Sequence, residues 1–272
     1  TLVSSGRKTE KLRKAEIAII GGTGQEKLLN YSEQIIKGTP YGLAPPIFIG
    51  EIDGKTVAFM PRHGVHHGVP PHRVNYRANF YALHHIGVKR ILATNAVGAI
   101  NRNIKPSDLV VPHDLVDFTK SRQSTFYDDE PVTHVDVSQI FCPEIRSVLI
   151  KSAKGIGLRL VDRAVLVCTE GPRLETPAEI RMFGRMGCDV VGMTVMPEAV
   201  LARELEMCYA TVCFVTNMAA GMQKRLTAEE LVKVARKTAP FLQQVLRETV
   251  KHLPTKRQCA CLHALEKARF RG

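Results

Sequence analysis

No apolar run in this 272-residue chain approaches the roughly 18 residues that a bilayer-crossing helix needs. The basic N-terminus has no apolar stretch and cleavage site behind it, so no secretory signal is expected and the cytoplasm is the expected location. Zinc-finger spacing, RNP-like aromatic motifs and heptad arrays are missing too, which leaves the net charge of +12 without a specific nucleic-acid target. That charge also sits at the ends. Residues 1–15 hold five Lys/Arg and one acid, residues 251–272 hold six and one, and the body between is near neutral at 27 against 24. Basic ends on a neutral body read as solvated, loosely electrostatic features, so neither nucleic acid nor membrane is an expected partner. No internal repeat, low-complexity tract or linker precedes Pro254. With 44% hydrophobic and 24% charged residues, the chain has the composition of an ordinary soluble globular protein.

Seven cysteines are present, at 142, 168, 188, 208, 213, 259 and 261. Cys168, Cys188 and Cys213 lie in apolar runs and read as small buried residues. Cys259-Ala-Cys261 lies in a polar, basic tail instead. A metal there needs about two further ligands, and neither His252 nor His263 completes a common zinc module. A local disulfide or redox pair and a pair of free thiols stay open beside it.

Strand and helix patterns alternate along the chain. Strands are expected at 15–21, 47–52, 56–60, 90–94, 109–116, 164–168, 190–193 and 209–216, with Asp53-Gly54 as a hairpin turn. Helices are expected at 75–86, 143–156, 177–186, 197–206 and 227–252, the last opened by a Thr227/Glu230 capping box. Such alternation argues for a single α/β domain, a largely parallel sheet with helices on both faces.

Several polar groups fall at the ends of these strands, where loops carry function. The turn Gly21-Gly-Thr-Gly24 can cradle an anion with backbone N–H groups, but it lacks the third glycine of a dinucleotide fingerprint. Arg62-His63-Gly64 offers a planar fork suited to phosphate oxygens with a further donor beside it. The histidines and arginines that follow through Arg77 have no carboxylate or cysteine among them, so no metal is expected there. Two further tips, Val167-Cys-Thr-Glu-Gly-Pro-Arg-Leu-Glu175 and Thr216-Asn-Met-Ala-Ala-Gly221, deliver a carboxylate and a carboxamide. An amide donates and accepts at once, a carboxylate only accepts. Together Glu175 and Asn217 suit a planar heterocycle showing both an N–H and a carbonyl, as a 6-oxopurine does and adenine does not.

The full set of motifs resembles the trimeric purine nucleoside phosphorylase family, in its methylthioadenosine/methylthioinosine phosphorylase branch. The resemblance covers residues 15–253 and leaves a basic extension (1–14) and a basic Cys-x-Cys tail (254–272) outside. Its carriers are Ile19-Ile-Gly-Gly-Thr-Gly24, Arg62-His-Gly64, Val74-Asn-Tyr-Arg-Ala-Asn79, Ala96-Val-Gly98, Ser121-Arg122 through Phe126-Tyr-Asp128, Glu170-Gly-Pro-Arg173, Gly192-Met-Thr-Val-Met-Pro-Glu198 and Thr216-Asn217. It implies a phosphorylase-like fold with a mixed, largely parallel sheet. It also implies a phosphate site of Thr23, Arg62, His63, Asn95, Ala96 and Thr194, with Met193 under the ribose. Leu174, Glu175, Asn217, Met218 and Ala219 would surround the base, with Glu175 and Asn217 assisting its departure. The implied reaction is phosphorolysis, with inorganic phosphate as co-substrate and no metal or organic cofactor.

At two positions the chain departs from the methylthioadenosine enzymes, which carry Ser at 175 and Asp at 217. Glu175 and Asn217 follow the 6-oxopurine phosphorylases instead. At the 5′ end, Ala228 stands where phosphorylases reading a 5′-hydroxyl carry histidine, and with Leu231 and Val232 it offers only apolar surface. The resemblance adds His134 from a neighbouring subunit of a homotrimer or a dimer of trimers. The expected substrate is therefore S-methyl-5′-thioinosine, with inosine and guanosine beside it. S-methyl-5′-thioadenosine is the alternative.

Overall fold

The computed structural model describes residues 14–22, 30–35, 38–224 and 227–270; at 32, 33 and 228 the backbone alone is described. In chain order its elements are β1 (Ile17–Gly21), β2 (Tyr31–Ile35), β3 (Gly38–Thr39), β4 (Gly42–Leu43), β5 (Ile47–Ile52), β6 (Lys55–Pro61), α1 (Tyr76–His85), β7 (Arg90–Ala99), β8 (Leu109–Val110), β9 (Asp114–Phe118), α2 (Pro143–Gly155), β10 (Leu160–Val161), β11 (Val165–Thr169), α3 (Pro177–Arg185), β12 (Val190–Gly192), α4 (Val195–Glu204), β13 (Cys208–Met218) and α5 (Ala228–His252). Asp53 and Gly54 both take positive φ, 47° and 75°, as the tight turn between antiparallel β5 and β6 demands. The stretch expected as one strand over 109–116 is two, β8 and β9, divided at Pro112, which has no N–H for a ladder.

Burial on both faces explains why the central strands read as continuous apolar runs. Along β1, Ile17 and Ile19 enter a core shared with α2 and α5, while Ala18 and Ile20 enter one shared with α1 and α4. β6 divides likewise, with Val57 and Phe59 on one side, Ala58 and Met60 on the other. The sheet runs β10-β8-β13-β7-β1-β6-β5-β2, and β12, β11 and β9 branch from β7. Parallel pairs β1–β6, β1–β7 and β13–β7 form its centre.

The branch at β7 creates the one large irregularity. Along one edge β7 pairs with β13 from residue 90 to 99. Along the other it pairs with β1 at 90–93, then with antiparallel β12 at 98–99. Between those partners no described strand covers residues 94–97, and this gap among the described residues is the candidate crevice. Such a switch in pairing is where α/β sheets bind ligands.

Residues 254–270, expected as a solvated tail, are folded back onto the domain. Arg257 donates to the Glu206 carbonyl at 2.8 Å, the Leu265 N–H reaches Glu206 Oε1 at 3.2 Å, and Thr133 bridges Arg269. Cys259 and Cys261 are buried among apolar residues of the α2/α5 core. The sequence missed this because positive charge dominates the segment while a few small apolar residues anchor it. His252 and His263 turn to Glu248 and Glu266 instead of to the thiols. Among the described residues no helix is long and apolar enough to cross a membrane.

Candidate active site

Four strand ends meet at the crevice. β7 supplies Asn95 and Ala96, and Ala96 is the single exposed residue of that strand. Gly192 closes β12 directly above, so near that a Cβ there would stand 2.6 Å from Asn95 Nδ2. Only glycine permits this approach. The Thr194 hydroxyl donates to Asn95 Oδ1 at 2.9 Å, while Asn95 Nδ2 is buried with no hydrogen-bond partner among the described residues. A buried donor left over in this way suits an anion or another acceptor in the crevice.

Arg62 and His63 leave the end of β6, where the Arg62 N–H bonds the Gly21 carbonyl at 3.0 Å. Arg62 is buried and its fork faces inward. Nε and Nη2 bond the two oxygens of fully buried Glu198 at 2.5 and 2.9 Å, and Nη1 donates to the Thr94 carbonyl at 2.8 Å. The Tyr209 hydroxyl adds a bond to Glu198 at 2.7 Å. Burial alone would lower the Arg62 pKa, but the Glu198 carboxylate raises it above the usual arginine value. The positive charge expected to face phosphate is therefore already matched inside the protein. Its remaining N–H groups are what the crevice can use.

His63 differs from its expected role as well. Its Nδ1 lies 2.8 Å from the Val69 carbonyl, which can only accept, so Nδ1 carries the proton. Burial, and then the nearby Arg62 charge, lower its pKa to about 4. The ring is neutral at pH 7 and Nε2 is an acceptor, where a donor was expected. The His67 ring stands 4.5 Å away. Thr23, expected beside them, lies outside the described residues.

The groups expected to meet the base are held by threonines. The Thr169 hydroxyl, at the end of β11, donates to Glu175 Oε1 at 2.7 Å. The Thr216 hydroxyl donates to Asn217 Oδ1 at 2.7 Å, and Asn217 Nδ2 donates to the Met218 carbonyl at 2.9 Å. These partners fix which end of the amide is oxygen. A bulge in β13 between Val215 and Asn217 turns this side chain out of the regular alternation, against Gly98. Met218 and Ala219 follow it, Ala219 buried against the α3 side of the sheet. Leu174 is 43% exposed, and Met193 packs beneath Gly171. Gly221 closes on Pro177 at the start of α3, bringing the Asn217 loop to the Glu175 loop.

Thr169, Thr216, Glu198 and Arg122 are the positioning residues that sequence reasoning left without a role. Arg122 donates to the Thr169 and Glu170 carbonyls at 3.1 and 2.7 Å, and to the Met196 carbonyl, binding the β11 tip to α4. A hydroxyl next to, or six residues before, a functional amide or acid was the available signal.

The sequence model of the Phosphorylase superfamily matches residues 16–251 of this chain. The chain belongs to this superfamily. A probable S-methyl-5′-thioinosine phosphorylase of Methanothermobacter thermautotrophicus is 50% identical, covering 93% of this chain and 89% of the relative. A 6-oxopurine nucleoside phosphorylase of Pyrococcus furiosus is 48% identical, covering 93% and 98%. Among solved structures, a methylthioadenosine phosphorylase from an Antarctic soil metagenomic library superimposes with TM-score 0.89 at 37% identity, over 95% of this chain and 93% of that one.

The remaining expected positions of this phosphorylase-superfamily chain lie on α5 and on the loop between β9 and α2. Ala228 opens α5 behind the Thr227 cap, whose hydroxyl accepts from the Glu230 N–H at 3.2 Å. Leu231 is half-buried and Val232 is 48% exposed, so Val232 is not a core residue of its own chain. His134 is exposed on the loop between β9 and α2; its N–H bonds the Ala268 carbonyl at 2.8 Å and its ring meets Phe270.

Proposed function

We propose that this enzyme cleaves the N-glycosidic bond of a 6-oxopurine nucleoside with inorganic phosphate. The best substrate is S-methyl-5′-thioinosine, with inosine and guanosine also accepted, and the products are free purine and the (5-methylthio)ribose 1-phosphate. The observation that carries this is the pinned amide of Asn217 beside the Thr169-held Glu175. With Thr216 on Oδ1 and Met218 on Nδ2, the amide keeps one N–H for a 6-carbonyl and one lone pair for a protonated N7. Glu175 keeps Oε2 to accept from N1–H. An adenine would leave these groups unpaired, which discriminates far more strongly than a missing apolar contact does.

In this reading phosphate occupies the gap beside residues 94–97. Asn95, Ala96 and Thr194 line its floor, Arg62 gives its remaining N–H groups, and Thr23 belongs to the adjoining turn. His63 Nε2 accepts a hydrogen bond from the P–OH of the bound phosphate, turning an oxyanion toward the sugar. A phosphate oxygen forms the bond to C1′ as the C1′–N9 pair leaves with the purine. Negative charge then grows on the purine, where the free N–H of Asn217 donates to O6. Preorganised donors aimed at that charge supply the catalysis, with no covalent enzyme intermediate. Met193 packs under the ribose.

The rival reading, methylthioadenosine phosphorylase, has the overall structural likeness on its side and residues 175 and 217 against it. A panel of methylthioinosine, methylthioadenosine, inosine and adenosine, each with and without phosphate, separates the two. Purine release should require phosphate and favour methylthioinosine over methylthioadenosine by about 10-fold or more. Phosphate-independent release, or preference for methylthioadenosine, overturns the proposal.

Assembly as a homotrimer, or as two such trimers, belongs to the same reading. It is supported by the exposed His134 and by a cleft of about 670 Å³ lined by Tyr127, Asp128, Val132, His134, Val200 and Glu204. A fully active monomer in sedimentation overturns this part.

A further inference from the structure

Three segments far apart in sequence bring four thiols together away from the crevice. Cys142 is the N-cap of α2, Cys208 begins β13, and Cys259 and Cys261 flank the start of the short 3-10 helix Ala260–His263. All four are buried, and their sulfurs lie within 4.8 Å of one another, with Cys208 and Cys259 at 3.3 Å. We propose that Cys142, Cys208, Cys259 and Cys261 form a structural zinc site that locks residues 254–270 onto the domain.

Tetrahedral zinc–thiolate geometry, with Zn–S near 2.3 Å, places sulfurs about 3.8 Å apart, which these separations accommodate with small side-chain shifts. The surroundings fit the charge of such a site. Binding converts four thiols and Zn²⁺ into a tetrathiolate complex of net charge minus two, releasing four protons and needing no oxidant. Two guanidinium groups already point at the sulfurs: Arg203 Nη1 lies 3.4 Å from Cys261 and Arg257 Nη1 lies 3.9 Å from Cys208. Both groups also bond carbonyls, Arg257 that of Glu206 and Arg203 that of Asp136, and their charge beside the sulfurs favours a dianionic cluster over four neutral thiols. Cys142 also sits at the positive end of α2, favourable for a thiolate. Four sulfur ligands and no open position mark a structural site, and soft thiolates select zinc over magnesium or calcium.

The site has a consequence at the crevice of the neighbouring subunit. The Cys-x-Cys segment leads directly into residues 264–270, which hold the His134 loop through the Ala268 carbonyl, the Phe270 N–H to the Val132 carbonyl at 3.0 Å, and the Phe270 ring. Removing the metal should therefore loosen 254–270 and 130–138 together.

The test uses the full-length chain purified under reducing conditions without chelator. Elemental mass spectrometry should find one zinc per chain, released when an organomercurial titrates the thiols. Cobalt substitution should give tetrahedral thiolate–cobalt absorption. Cys259→Ser with Cys261→Ser should abolish stoichiometric zinc while Cys188→Ser keeps it. Because the double variant can fail to fold, hydrogen exchange of the wild-type protein before and after metal release is the second measurement. Exchange at 254–270 and 130–138 should accelerate about 10-fold or more. Wild-type protein with no stoichiometric zinc overturns the proposal. So does an intact mass 4 Da below the reduced value, the signature of two disulfides, or stoichiometric iron in place of zinc.

Discussion

At the proposed phosphate end of the crevice, Arg62 and Glu198 are buried together and shared with Thr94 and Tyr209. At the proposed base end, Glu175 and Asn217 stand half-buried, Glu175 held by the Thr169 hydroxyl and Asn217 by the Thr216 hydroxyl and the Met218 carbonyl. The first arrangement is part of the core, since Glu198 and Tyr209 lie under α4 and the central sheet. The second lies outside the core, Asn217 near the end of β13 and Glu175 on the loop between β11 and α3. Substitution at the base end can therefore change which purine is accepted while the fold persists. At the phosphate end the same step removes structural support.

The sharpest break of this contrast is Arg62→Ala. It leaves the Glu198 carboxylate buried without its counter-charge, which typically costs about 3–5 kcal/mol. Urea unfolding should show that loss, and phosphate should restore little of it. A fall of less than about 1 kcal/mol would mean that water reaches Glu198. Arg62→Lys keeps charge but not the bidentate fork and should fall between the two proteins.

The second effect is pH-dependent and belongs to the same end. The His63 pKa is lowered to about 4 by burial and by Arg62, against about 6.5 in the unfolded chain. Between those values the unfolded state binds the extra proton, so stability must fall as pH drops through 6.5 and level off below 4. Above 6.5 both states are neutral and His63 contributes no slope. The lowered value corresponds to a loss on the order of 3 kcal/mol. Denaturant midpoints measured from pH 7.5 to 4 should show a shallower slope for His63→Gln than for wild type. Equal slopes would place the protonation elsewhere, with His67 and His84, whose pKa values are also lowered by burial, as the next candidates.

At the base end, Asn217→Asp should swing the methylthioinosine-to-methylthioadenosine ratio of kcat/KM by about 10-fold or more toward the 6-aminopurine. The Met218 carbonyl 2.9 Å from Nδ2 would face a carboxyl oxygen, so the acid is favoured in its protonated form; its one proton goes to that carbonyl, which leaves no donor for a 6-carbonyl and removes the advantage of the 6-oxopurine. The unfolding midpoint should move far less than for Arg62→Ala. An unchanged substrate ratio removes Asn217 from base selection.

How far the sequence carried depends on the distance over which each signal acts. β1, β5, β6 and the five helices were legible because periodicity, Pro-led starts and the Asp53-Gly54 turn are local. Glu175 and Asn217 were legible as chemistry because each stands just past an apolar run. The inward turn of Arg62 was not, since its partner Glu198 lies 136 residues away and reaches it through tertiary packing. The tautomer of His63 depends on a loop carbonyl six residues on, which no residue pattern encodes. β12 was legible as a strand, but its parallel pairing with β11 and antiparallel pairing with β7, which leaves residues 94–97 uncovered on that edge, was not. The thiol cluster was half legible: Cys259 and Cys261 were conspicuous, while Cys142 and Cys208 became their neighbours only through the fold.

The smallest expected effect lies at the first residue of α5. An alanine at 228, one position past the Thr227 cap, supplies no hydrogen-bond partner to a 5′-hydroxyl. Burying that hydroxyl unpaired costs roughly 1–3 kcal/mol, whereas a methylthio group gains from apolar cover. Methylthioinosine should therefore exceed inosine in kcat/KM by about 10-fold, the factor that ~1.4 kcal/mol represents. Ala228→His should narrow the gap by giving inosine a donor and crowding the methylthio group. Its helix-propensity cost of a few tenths of a kcal/mol leaves the fold intact. If wild type already prefers inosine, the hydroxyl finds a partner from another group, with His134 of a neighbouring subunit the first to test by His134→Ala. Loss of inosine activity alone in that variant would move the 5′ selectivity from α5 to the subunit boundary.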